Sequence, residues 1–363
     1  MECPANIWPG NEEYLTAFNV KAARLRIPLS GSIDLTHRCN LRCIHCYLSG
    51  NTLQNFQKEL DTKKILSVID EITEAGCLNF LITGGEPLLR NDFQKIYSHA
   101  KNNGLLVTVF SNGTLITDSI LDLFRDLPPY TIEISLYGAT AVTYEKITDI
   151  PGSYEKCING IRKLIEHKIN VRLKTILMVV NSHEFFDIEN MAKEYGIKFR
   201  FDAAIFPRIN GDKSPLTLRV PPRDAVDKEF SNLERAGAWK EYFDKVQGQS
   251  MANTLYTCGA GVTVFHIDPY GNLKPCLMTN NLSYNLSEGS FLEGWHDIIS
   301  LIRNRKVTGD VFHCNQCDKL FLCGFCPAFF EWENGQEDIR SDYTCDIGNY
   351  RFQMIGNHNK QGA

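Results

Sequence analysis

Very little in this chain points towards a membrane or a nucleic acid. No apolar run approaches the roughly 20 residues that span a bilayer. The start, Met1-Glu2-Cys3-Pro4 followed by Glu12-Glu13, lacks the basic and apolar regions of a signal peptide. There is no basic excess: 38 Lys and Arg stand against 43 Asp and Glu, a net charge of −5. Neither nucleic acid nor an anionic membrane is therefore an expected partner. Internal repeats and low-complexity tracts are absent as well, and the expected location is the cytoplasm. With 363 residues, 43% hydrophobic and 22% charged, the composition excludes a disordered chain, a collagen-like fibre and an all-membrane protein. The length suits about two domains.

What is abundant is cysteine, thirteen in all. Three lie between 39 and 46 and seven between 258 and 345, while Cys3, Cys77 and Cys157 stand alone. An odd number in a reducing compartment argues against a disulfide framework, and clustering points to metal or iron–sulfur ligation.

From Ser32 the pattern repeats as strand, loop and helix. Strands are expected at 32–36, 78–83, 105–110, 130–136, 171–180 and 197–201. Asp61 is a good N-cap for a helix with Ile65, Val68, Ile69 and Ile72 on one stripe, stopped by Gly76. Ser153 is expected to cap another, with Cys157, Ile158, Ile161, Leu164 and Ile165 buried. Alternating strands and helices imply a parallel sheet. Polar residues recur at every second strand position: Asp34 and Thr36; Thr131, Glu133 and Ser135; Arg172 and Lys174; Lys198, Arg200 and Asp202. A doubly wound sheet has apolar strands on both faces, so this alternation favours an open six-unit (β/α)6 barrel of the TIM type with a polar lumen. Residues 1–30 read as an extension, 206–215 as a loop and 221–247 as a mostly helical bridge. Residues 265–273 read as a hairpin turning on Pro269-Tyr270-Gly271-Asn272.

Cys39, Cys43 and Cys46 are spaced C-x3-C-x2-C directly after the first strand, within one eight-residue loop. Three thiols leave one iron of a four-iron cube open, the mark of a reactive site; a zinc knuckle is the alternative for this motif alone. Thr83-Gly84-Gly85-Glu86-Pro87 follows at the end of the second strand, where a Gly-Gly pair exposes backbone. Together these motifs resemble the signature of the radical S-adenosylmethionine enzymes. The resemblance implies a 4Fe–4S cluster on Cys39, Cys43 and Cys46, its open iron chelating the methionine end of S-adenosylmethionine. It further implies that Gly84, Gly85, Glu86 and Pro87 line the amino group. Ser111, Asn112 and Ser135 would lie near the sugar and methionine, Lys146 near the carboxylate, and His45 near the adenine as packing. His37 has no role beyond structure.

The C-terminal set is Cys258, Cys276, Cys314-x2-Cys317, Cys323-x2-Cys326 and Cys345. Alone, the two C-x2-C pairs also suit a zinc ribbon. After a radical barrel the whole pattern resembles a SPASM domain, which implies two auxiliary 4Fe–4S clusters. Cys258, Cys276 and Cys326 would hold the nearer cluster, and Cys314, Cys317, Cys323 and Cys345 the outer one. The nearer set lacks a fourth thiol, and only Gly324 and Phe325 separate Cys323 from Cys326. The implied organisation is an extension at 1–30, the barrel at 31–205, a loop and bridging helix at 206–254, the SPASM domain at 255–350 and a tail at 351–363.

The resemblance covers residues 31–347. It implies hydrogen abstraction from a peptide or protein, then cross-linking, oxidation or epimerisation, with a reductant such as flavodoxin or ferredoxin. Thirty residues are too few for a leader-binding domain, so a separate small recognition protein is expected. The alternatives are a radical enzyme acting on a small molecule in cofactor synthesis, such as a tetrapyrrole or quinone, and a non-enzymatic iron–sulfur or zinc module. Asp202 and Arg208 stand near the expected substrate path, where a surface salt link is the plainer reading.

Overall fold

A computed structural model describes residues 11–48, 59–248, 254–307 and 313–361. Cys3 lies outside them. Six parallel strands run β1 (Ser30–Asp34), β2 (Asn79–Thr83), β3 (Leu106–Ser111), β4 (Thr131–Ser135), β5 (Val171–Ile176) and β6 (Lys198–Asp202). They lie side by side in chain order, with helices in the crossovers. The sheet does not end at β1. There β7 (Val264–Ile267) adds in parallel, followed by antiparallel β8 (Asn272–Lys274) and β9 (Tyr284–Asn285). The boundary expected near 255 is therefore crossed by one continuous sheet.

The alternation read from the sequence separates the two faces. Ile33, Phe80, Ile82, Val107, Val109, Ile132, Ile134 and Leu173 lie in one buried cluster with the crossover helices. The helix Thr62–Glu74 contributes Ile65, Val68, Ile69 and Ile72, each about 1.5–3 kcal/mol of burial. Asp61 caps it by accepting from the Lys64 N–H at 2.8 Å. Glu133 pairs in register with Arg172, and Ser135 with Lys174, which in turn pairs with Arg200. These polar positions form the opposite face. The partial barrel with a polar lumen is the observed fold.

Four details differ from expectation. Ser153 is not a cap: Gly152, at φ +74°, holds that position without a side-chain bond, and Ser153 Oγ pairs with Thr148 Oγ1 at 2.8 Å. Within the extension, Asn11–Leu25 is a helix. Its described side chains are mostly exposed, with Ala22 buried, so no apolar stripe announces it. The expected tail from 351 continues the helix Asp342–Gln361. Finally, the strand read to 180 ends at Ile176. The bridge forms two helices, Pro222–Phe230 and Leu233–Val246, and the C-terminal helix packs on the first of them. Among the described residues no helix is long and apolar enough to cross a membrane.

Candidate active site

The cysteine loop leaves β1 and is fastened on two sides. Arg42 N–H donates to the Thr148 carbonyl at 2.9 Å and Ile44 N–H to that of Ile147 at 3.0 Å. These carbonyls end the helix Ala141–Thr148 and would otherwise lack partners. On the other side, Gly85 N–H donates to Thr36 O at 2.8 Å and Glu86 N–H to Arg38 O at 2.9 Å. A Cβ on Gly84 would lie 2.3 Å from Thr36 O, and one on Gly85 2.3 Å from Arg38 O; Gly84 also sits at φ +130°. The two glycines let the second motif press against the first, a packing requirement that the sequence reading had assigned to ligand approach.

Glu86 is fully buried. It accepts from Leu88 N–H (3.1 Å), from Ser111 Oγ (3.0 and 3.1 Å) and from Asn112 N–H (2.7 Å). Burial pushes its carboxyl up to about 7, against the pull of these donors. Glu86 thus ties the end of β2 to the end of β3. Asn112 completes the tie: its Nδ2 donates to Asn40 Oδ1 at 2.8 Å and lies 3.8 Å from Cys39 Sγ. Pro87 opens a short 3₁₀ turn, Pro87–Leu89. Ser135 closes β4 in the lumen, and its carbonyl lies 3.9 Å from Cys157 Sγ.

The Cys39 thiol is pushed up to about 12, chiefly by burial, and Cys43 and Cys46 are raised for the same reason, each influenced by its neighbouring thiols or by Asp34. His45 packs edge-on to Tyr137 at 4.5 Å, and burial pushes it down to about 4, so it is a neutral packing ring. Its Nδ1 is buried without a partner. His37 is satisfied by Asp34 Oδ2 at 3.2 Å. Arg208 pairs with Asp212 at 3.6 Å and braces the cysteine loop through Ile44 O at 3.4 Å, while Asp202 makes no salt link among the described residues and accepts from Ala204 N–H at 2.7 Å.

Lys146 is exposed. The lumen instead holds Lys174, whose Nζ lies 3.2 Å above the Phe110 ring. Burial, then Arg200, push it down to about 7. The parity of β5 had marked Lys174 as lumenal without giving it a task.

The C-terminal thiols gather in two groups. Cys326 is pushed up to about 12 by burial, with Cys276 and Cys258 adding to the rise. Cys323 is pushed up to about 12 by burial, with Cys314, Cys317 and Cys345 adding. Gly348 lets the last helix approach Cys323, since a Cβ there would lie 2.7 Å from Cys323 Cβ. Between β6 and these groups is a cavity of about 420 Å³ lined by Phe201, Phe206, Trp239, Phe329, Cys323 and Cys326. Cys77 and Cys157 are buried in the barrel core.

All twelve described cysteines are free thiols. Among the described residues no three His, Cys, Asp or Glu side chains are set to grip a single metal ion. A four-iron cube binds each thiolate through a different iron, which asks for wider spacing than one ion does. The soft donor set and the unpartnered His45 Nδ1 in the same loop fit such a group.

Residues 33–195 match the Radical SAM superfamily. The chain is 26% identical over 317 residues to the AdoMet-dependent heme synthase of Methanosarcina barkeri, covering 81% of this chain and 90% of that protein. It is 28% identical over 315 residues to the mycofactocin maturase MftC of Mycobacterium tuberculosis, covering 84% and 79%. The crystal structure of Streptococcus suis SuiB bound to precursor peptide SuiA superposes with a TM-score of 0.69 at 16% identity, covering 95% of this chain and 84% of that one. Residues 33–195 of the chain thus form a Radical SAM superfamily domain.

Proposed function

We propose that this enzyme uses S-adenosylmethionine to abstract a hydrogen atom from a ribosomal peptide and so matures it. The observation that carries this reading is the joining of the Cys39–Cys46 loop to Gly84–Gly85 and Asn112 at one end of a polar lumen. Cys39, Cys43 and Cys46 would hold the cluster. When bound, the cluster supplies a strongly reducing electron to the sulfonium of S-adenosylmethionine. The chain's own part is placement and exclusion of water. Glu86 and Asn112 fix the loop, His45 and Tyr137 make a neutral packing wall, and the lumen receives the substrate. Gly84, Gly85, Pro87, Ser111 and Ser135 face the cosubstrate in this reading, and exposed Lys146 reaches its carboxylate only if its side chain swings inward.

The maturase among the relatives, and a precursor peptide held by a protein of the same fold, support a peptide substrate. The two C-terminal thiol groups support two auxiliary clusters: Cys258, Cys276 and Cys326 for the nearer, Cys314, Cys317, Cys323 and Cys345 for the outer. A flavodoxin or ferredoxin would supply electrons and a separate small protein would present the leader. The heme synthase relative favours a second reading, action on a tetrapyrrole side chain.

The test is anaerobic reconstitution followed by reduction with S-adenosylmethionine present. Release of 5′-deoxyadenosine and about twelve irons per chain are expected. Replacing Cys39, Cys43 and Cys46 together by Ala should abolish release while leaving about eight irons. Continued release by that variant would refute the assignment.

A further inference from the structure

The lumenal wall formed by β4, β5 and β6 holds a cation that its neighbours leave unanswered. Glu133 on β4 gives its Oε2 to Arg200, which donates through Nε at 3.0 Å and Nη2 at 2.6 Å, and makes no hydrogen bond to Lys174. Glu86, the other carboxylate that acts on it, spends both oxygens on Leu88, Ser111 and Asn112. Among the described residues, the Lys174 ammonium makes no hydrogen bond or ion pair: it feels Glu133 and Glu86 only through space, and its contact is the face of Phe110. Arg172, two residues earlier on the same face, leaves its Nε buried without a partner. A cation–π contact contributes about 0.5–2 kcal/mol and leaves the ammonium's other donors unspent.

We infer that Lys174 takes a carboxylate of the substrate, borne by an acidic side chain or the C-terminus of the peptide, and so sets which substrate atom lies at the cosubstrate end of the lumen. The inference rests on the lumen being the substrate chamber, as proposed above. Geometry supports the placement. Lys174 stands opposite Ser135 in register, at the carboxyl end of the sheet where the cysteine loop departs. Phe110 holds the ammonium over its ring, and Arg200, opposite in register on β6, adds positive potential while its Nε and Nη2 are engaged by Glu133. A carboxylate arriving there gains charge-assisted hydrogen bonds from a site already oriented for it.

The same chemistry is available from the methionine carboxylate of S-adenosylmethionine, so the experiment separates the two sources. Anaerobically reconstituted protein is titrated with N-acetylglutamate α-amide and with its neutral isostere N-acetylglutamine α-amide. Binding is followed by saturation-transfer NMR, with and without saturating S-adenosylmethionine. The glutamate probe should bind in both conditions and the glutamine probe in neither. Lys174→Gln should weaken the glutamate probe roughly tenfold, the loss expected for one charge-assisted hydrogen bond, and Lys174→Arg should restore it. Displacement of the probe by S-adenosylmethionine, equal binding of the two probes, no binding by the unmodified protein, or unchanged binding in Lys174→Gln would each overturn the inference. Should Lys174→Gln fail to fold, the cosubstrate and isostere arms on the unmodified protein still decide. Binding is read without turnover, so it can fail while 5′-deoxyadenosine release, the readout of the proposed function, succeeds.

Discussion

Glu86 carries two conflicting demands on one carboxyl. Its oxygens accept from two backbone N–H groups and one hydroxyl, which favours the anion, while complete burial favours the neutral acid. Glu86→Gln keeps the shape but turns an NH₂ against donors, and should cost about 1–3 kcal/mol. The pH dependence has a definite sign. The folded carboxyl titrates near 7, above the ordinary value of 4.5, so the folded chain binds the extra proton between these limits. That contribution is complete below 4.5 and is lost as pH rises through 7. In iron-free protein, the stability advantage over Glu86→Gln should therefore narrow across that window in thermal unfolding. A constant difference would show that burial does not raise this carboxyl.

Among the elements, the junction of β1 and β7 decides whether the two halves share one sheet. Gly31 and Phe265 are register partners there, and a Cβ on Gly31 would lie 2.1 Å from the Phe265 ring. Phe265 is fully buried against Phe291 and Trp295, at 4.9 and 6.1 Å between ring centroids. The ring thus fills the space that a side chain on β1 would take. Gly31→Ala should destabilise by about 1–3 kcal/mol through overpacking. Adding Phe265→Leu should recover part of that loss, a coupling that a double-mutant cycle in denaturant would measure. Strict additivity would mean that the strands part rather than collide.

Over the whole molecule, the C-terminal helix is the strap. Arg351 donates to Glu229 at 2.7 and 3.0 Å and to the Leu322 carbonyl at 2.7 Å, and its guanidinium lies 4.1 Å from the Trp239 ring centroid. One side chain thereby joins the last helix, both bridging helices and the segment before Cys323. Arg351→Ala leaves Glu229 half-buried and unpaired, and should cost about 3 kcal/mol. Hydrogen exchange should rise in the segments around 320–326 and 222–246 while β2–β4 remain protected. Uniform loss of protection would make the chain one cooperative unit instead.

The barrel was legible because its code is local. Period-two polarity from Asp34 to Asp202 and the period-3.6 stripe from Ile65 to Ile72 each state which face is buried. The cysteine spacing was legible for the same reason, since a loop of eight residues brings its own thiols together. The helix Asn11–Leu25 was hidden because it buries little, and the false cap at Ser153 because Gly152 took the position by its backbone alone. Sequence by itself thus determined the barrel, the grouping of the thiols and the superfamily chemistry. Tertiary structure decided that the hairpin after β7 extends the barrel sheet, that Gly84 and Gly85 pack against the cysteine loop, and that Lys174 lies over Phe110 on the lumenal face while Lys146 is exposed. The physical reason is that periodicity reports only which side of an element faces inward. What waits on that side is set by contacts between residues far apart in the chain.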